Sequence, residues 1–90
     1  MTTRQELNFM ARVLDYTVDQ SVNGIEIYRN HSEVSIVVAY DGGGNVFDVK
    51  IRDPHQMLES ISYYDGSQWE RADWVRDKLR KYVPVSQESM

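Results

Sequence analysis

Three consecutive stretches of period-two alternation occupy the middle of this 90-residue chain, and they leave little choice of fold class. Ile25 and Ile27 alternate with Glu26 and Tyr28. Val34, Ile36, Val38 and Tyr40 alternate with Ser35, Val37 and Ala39. Phe47, Val49 and Ile51 alternate with Asp48, Lys50 and Arg52. Alternation built from β-branched and aromatic residues is the pattern of a strand with one buried face. The connections Asn30-His31-Ser32 and Asp41-Gly42-Gly43-Gly44-Asn45 have hairpin length and are rich in turn formers. The expectation is a three-stranded antiparallel meander in the order 1-2-3. Its open face should carry Glu26, Tyr28, Ser35, Val37, Asp48, Lys50 and Arg52 and meet water or a partner.

Helical signals flank the strands. Thr3 with Glu6 has the form of a capping box, which places a first helix from Arg4 to about Gln20, stopped by Asn23-Gly24. Asp53-Pro54 reads as an N-cap followed by a first-turn proline and opens a short second helix with the apolar face Met57, Leu58 and Ile61. Asp65-Gly66 breaks it. Ser67 with Glu70 is a second capping box, starting a third helix at Gln68 that Pro84 ends near Val83. Residues 84–90 read as a flexible polar tail. The expected architecture is an α+β domain over residues 1–83, in the order α-β-β-β-α-α, with the helices mainly on one face of the sheet.

Composition narrows the function classes. Ten Lys and Arg stand against fourteen Asp and Glu, a formal charge of -4. That balance argues against a basic nucleic-acid packer, and a chain this short against a two-domain enzyme. No charge-free stretch comes near the roughly 20 apolar residues that span a bilayer. Cysteine is absent, so there is no disulfide or thiolate nucleophile, and no secretion signal opens the chain; the expected location is the cytoplasm. Charge reverses along the chain. Residues 42–70 carry five acids and two bases, and residues 71–90 carry three acids and five bases. Lys78, Arg80 and Lys81 fall in the last turn of the third helix, where the helix dipole favours cations. Together with Arg71 they are also the residues a nucleic-acid site would use.

Two helices have more apolar surface than one sheet can cover. The first has a core stripe of Leu7, Met10, Ala11, Leu14, Thr17 and Val18, and a second stripe of Phe9, Val13 and Tyr16 on its other side. Either the third helix covers the second stripe or another protein chain does. A homodimer would double it by symmetry. The third helix buries Ala72, Val75, Leu79, Tyr82 and Val83, with Trp69 at the edge of that face. Trp74 projects on the opposite side, among Glu70, Asp77, Lys78 and Lys81. It either lies flat beneath the stems of Arg71 and Lys78 or anchors an interface.

Chemistry-bearing constellations are sparse. Gly42-Gly43-Gly44 leads into a strand with no nearby lysine, unlike a phosphate-binding loop. Asp41, Asn45 and Asp48 lack the ligand spacing and terminal glutamate of a calcium loop. His31 and His55 have no second ligand at helical spacing, and no serine lies in a nucleophile-elbow sequence. Tyr63-Tyr64-Asp65 forms an aromatic, acidic loop beside Trp69. No cofactor, metal or catalytic residue is expected.

The α-β-β-β-α element order resembles that of small acidic type III secretion chaperones, and is similar to that of several small phage-encoded inhibitors of host enzymes or defence complexes. The expectation is a non-catalytic, acidic protein-binding module, an inhibitor or adaptor. It would contact its partner through Phe9, Val13, Tyr16, Trp74, Tyr64 and Asp65, and its acidity would suit a basic, nucleic-acid-binding partner. The alternatives are a chaperone-like role, or weak nucleic-acid binding through Arg71, Lys78, Arg80 and Lys81.

Overall fold

A computed structural model describes residues 1–20 and 23–83. The elements run α1 (Thr3–Val13), β1 (Thr17–Gln20), β2 (Ile25–Arg29), β3 (Ser35–Tyr40), β4 (Val46–Arg52), β5 (Met57–Ile61) and α2 (Gln68–Lys81). The five strands form one antiparallel sheet in sequential order. The tail expected for residues 84–90 lies outside the described residues, as does Pro84.

The α+β class holds, but the three-stranded meander and the α-β-β-β-α-α order do not: the described residues form five strands and two helices. Both added strands replace expected helix, and each has a local cause. The first helix stops at Val13 rather than near Gln20. Leu14 caps it, Asp15 takes a left-handed φ of 70°, and two bonds close the end: Tyr16 N–H to the Ala11 carbonyl and Asp15 N–H to that of Arg12. This is a Schellman arrangement with Asp where Gly is usual. Beyond it Thr17 and Val18, both β-branched, pair with Arg29 and Tyr28 as an edge strand. The helix also starts one residue early, because the capping box is Thr2 with Gln5 and not Thr3 with Glu6.

The expected second helix is β5. Asp53 does cap, its Oδ1 accepting from the N–H groups of His55 and Gln56 at 2.8 and 2.9 Å. The cap closes a four-residue hairpin, with Arg52 opposite Met57, instead of opening a helix. Asp-Pro serves the start of a turn as well as the start of a helix. What decides is the free edge of β4, which offers a full ladder to the next segment. The third expected helix is α2, with the capping box Ser67 and Glu70 in place and the described helix ending at Lys81.

The phase of β2 is the reverse of the one read from its isoleucines. Glu26 and Tyr28 point to the helix side and are fully buried, whereas Ile25 and Ile27 lie on the open face, half-buried opposite Ala39 and Val37. In β4 a bulge opposite Ala39 and Tyr40 shifts the alternation, so Val46, Val49 and Ile51 are core and Phe47 turns outward. The remaining open-face positions Ser35, Val37, Asp48, Lys50 and Arg52 are where the alternation put them. Tyr28, Ile36, Val38, Val46, Val49 and Ile51 of the sheet close against Leu7 and Ala11 of α1 and Ala72, Val75 and Leu79 of α2.

Candidate functional site

Apart from Met1 and Met57, the exposed large apolar side chains of the described residues form two surfaces. One is the outer side of α1, where Phe9 and Val13 are each 65% exposed. The third member of that sequence stripe, Tyr16, does not join them. The Schellman turn swings it inward, where it is buried and its hydroxyl donates to the Leu79 carbonyl at 2.7 Å. Trp74 is likewise partly covered, packed against the core with the Lys78 ammonium 5.1 Å from its ring centre. Phe9 and Val13 therefore stand as a pair.

The second surface is built from β4, the loop before α2, and the first turn of α2. The bulge turns Phe47 outward, and Tyr63 stacks on it with ring centres 4.8 Å apart. Tyr64 meets Tyr63 edge-on at 5.5 Å and is 90% exposed. Trp69 follows on α2, 71% exposed. Trp69 and Tyr63 border a cleft of about 490 Å³ that Asp41, Gly66, Ser67, Gln68 and Arg71 complete. Tyr64 and Asp65 are legible in the sequence as a loop, but the alternation of β4 puts Phe47 in the core; a one-residue bulge leaves no clear mark on an alternating pattern.

This platform is held by hydrogen bonds from two side chains. Arg71 is buried, and its guanidinium donates to three backbone carbonyls: Val46 at 2.9 Å, Tyr63 at 3.1 Å and Gly66 at 2.8 Å. It also lies over the Tyr63 ring at 5.4 Å. One side chain thus ties β4, the loop and α2 together, with Nε on one carbonyl and Nη1 on the other two. Asp65 closes the loop, its Oδ2 accepting from the Ser62 N–H and hydroxyl at 2.8 and 3.0 Å. Those two bonds hold the Asp65 carboxyl below its usual range, with a further contribution from Arg71. Asp41 is held low in the same way by the Asn45 and Gly43 N–H groups.

A larger cleft of about 920 Å³ lies across the hairpin 41–45, between it and α1. Its chemistry centres on Glu26. The carboxylate accepts from Arg4 Nε (2.6 Å), the Tyr28 hydroxyl (2.6 Å), Asn8 Nδ2 (3.2 Å) and Gln20 Nε2 (3.3 Å). Burial works against its charge, but the bonds from Tyr28, Arg4 and Asn8 outweigh burial and hold the carboxyl low. The Tyr28 proton goes to Glu26, so Tyr40, 2.7 Å away, donates to Tyr28. Burial raises both hydroxyls. The network has no proton poised near neutrality, and its bonds join α1 to β1, β2 and β3. The alternation of β2 alone puts Glu26 on the open face, so this network is not legible in the sequence. At the neighbouring hairpin, Gly44 lies so close to α1 that a Cβ would come 3.0 Å from Thr2.

The four cations of the nucleic-acid alternative are all engaged internally. Arg71 is in its carbonyl nest. Lys78 and Lys81 share the Glu59 carboxylate at 2.6 and 2.9 Å. Arg80 faces Asp77 at 3.6 Å in an exposed pair. Among the described residues no group of three or more His, Cys, Asp or Glu is placed to hold a metal ion. No described helix is long and apolar enough to cross a membrane. No protein-family model matches the chain, and no significantly similar curated protein or solved structure was found. The resemblance to secretion chaperones and phage inhibitors rested on an element order that the chain does not adopt.

Proposed function

We propose that this protein is a binding module, an inhibitor or adaptor, that docks on another protein through the aromatic platform of Phe47, Tyr63, Tyr64 and Trp69. The observation that carries the reading is that Tyr64 and Trp69 stand mostly exposed beside a loop tied down by hydrogen bonds. A side chain as large as Trp or Tyr normally removes 150–250 Å² from water. Here Tyr64 and Trp69 are left out, while a buried arginine and an Asp-closed turn fix the loop that presents Tyr64, and Trp69 stands on the capped first turn of α2. Aromatic anchors already ordered in the free protein lose little entropy on binding. Covering the four rings would remove roughly 400–500 Å² from water, about 10 kcal/mol gross at 25 cal/mol per Å². Association costs about 4–15 kcal/mol, so the platform serves as the centre of a larger contact.

The Phe9 and Val13 pair is the smaller surface. Affinity capture from a cell lysate with three forms of the protein separates the two. Partners held by the parent should be lost from Tyr64→Ala/Trp69→Ala and kept by Phe9→Asp/Val13→Asp. Retention by the first double variant and loss from the second would place the contact on α1 instead.

A further inference from the structure

We infer that the platform takes an arginine-bearing, positively charged segment of its partner; this rests on the platform being the contact surface and names the chemistry it selects. The first ground is charge. Residues 63–71, which hold three of the four rings, carry Asp65 and Glu70 against Arg71, while Asp73 further along α2 is already paired with Arg76 at 2.6 Å. Asp41 lines the cleft beside Trp69 and adds a further carboxylate. Arg71 is buried among carbonyls, and both Asp41 and Asp65 feel its charge. The surface that remains to an incoming chain is aromatic with an acidic border.

The second ground is that four of the chain's ten aromatic rings already carry a cation of this chain. Tyr40 lies under Arg4, Tyr63 under Arg71, Trp74 under Lys78 and Tyr82 under Lys81. Among the described residues Tyr64 and Trp69 have no such cation, and they are the two most exposed rings of the platform. An incoming guanidinium could stack on either ring and reach a carboxylate with its N–H groups, a combination an ammonium meets less well.

The test is an NMR titration of the full chain with three short synthetic peptides: arginines spaced by Gly and Ser, the same peptide with citrulline for arginine, and a glutamate version. The arginine peptide should give saturable shifts centred on residues 47, 63, 64 and 69. Its affinity should fall at least about tenfold with citrulline, and by a similar factor in Tyr64→Ala/Trp69→Ala. Phe9→Asp should leave it unchanged, and the glutamate peptide should not bind. Absence of arginine-peptide binding, equal binding by citrulline, or undiminished binding by the double aromatic variant would each overturn the inference. So would light scattering that shows the parent self-associating through these rings, since the occupant is then a second copy. The lysate capture judges the platform separately: the cation can fail there while the contact surface stands.

Discussion

Glu59 and Glu26 fasten the two helices to the sheet from opposite ends of the solvent scale. Glu59 is partly exposed on β5 and gathers Lys78, Tyr82 and Lys81 of the α2 end; their bonds lower its carboxyl to about 2. A carboxyl lowered by folding stabilises the protein above its unfolded pKa, about 4.3, and that stability is lost as pH falls towards the folded value. Glu59→Gln should therefore cost about 1–2 kcal/mol at pH 7, and parent and variant should converge in urea melts near pH 2. The buried tyrosines act at the other extreme. Burial raises Tyr16, Tyr28 and Tyr40, so their contribution is complete below the unfolded pKa of about 10 and lost as pH rises past it. Their tyrosinate absorbance should develop together with the loss of circular dichroism; if it develops while the fold persists, the burial of these hydroxyls is misjudged.

Asp15 shows how one residue redirects an element. With φ at 70° it ends α1 and frees the next residues for β1. Asp15→Gly suits that conformation and should be neutral or stabilising by up to about 1 kcal/mol. Asp15→Val should destabilise by more than about 1 kcal/mol, because a β-branched residue fits the left-handed region poorly. The opposite order in thermal melts would mean the helix continues through this position. The same element explains what the sequence could and could not tell. The α2 start was legible because its capping box is local, and β3 because alternation and turn signals agree across it. The β1 and β5 edges were not, because Thr17-Val18 and Met57–Ile61 become strands only through a neighbour's open edge. The phase of β2 was hidden for a related reason: Glu26 is tolerable in the interior only with Arg4, Asn8, Gln20 and Tyr28 around it, and three of those four lie on other elements.

At the scale of the whole molecule, the hairpin 41–45 divides the cleft along α1, which holds Glu26 and Phe9, from an aromatic platform beside α2. Of the residues marked from the sequence as partner contacts, the platform contains Tyr64 and adjoins Asp65, α1 keeps Phe9 and Val13, and Tyr16 and Trp74 pack inward. The platform rings contribute little to the core, so Tyr64→Ala/Trp69→Ala should leave stability within about 0.5 kcal/mol of the parent. Removing the brace should not: Arg71→Met leaves three carbonyls without their donor and should cost about 2–4 kcal/mol, read from denaturant unfolding. The most direct measurement of the central claim places a photo-reactive phenylalanine analogue at position 64 in one form of the protein and at position 13 in another, both illuminated in the same lysate. Discrete crosslinked species from position 64, with none shared by position 13, are expected. Crosslinks from position 13 alone would contradict the platform as the contact surface.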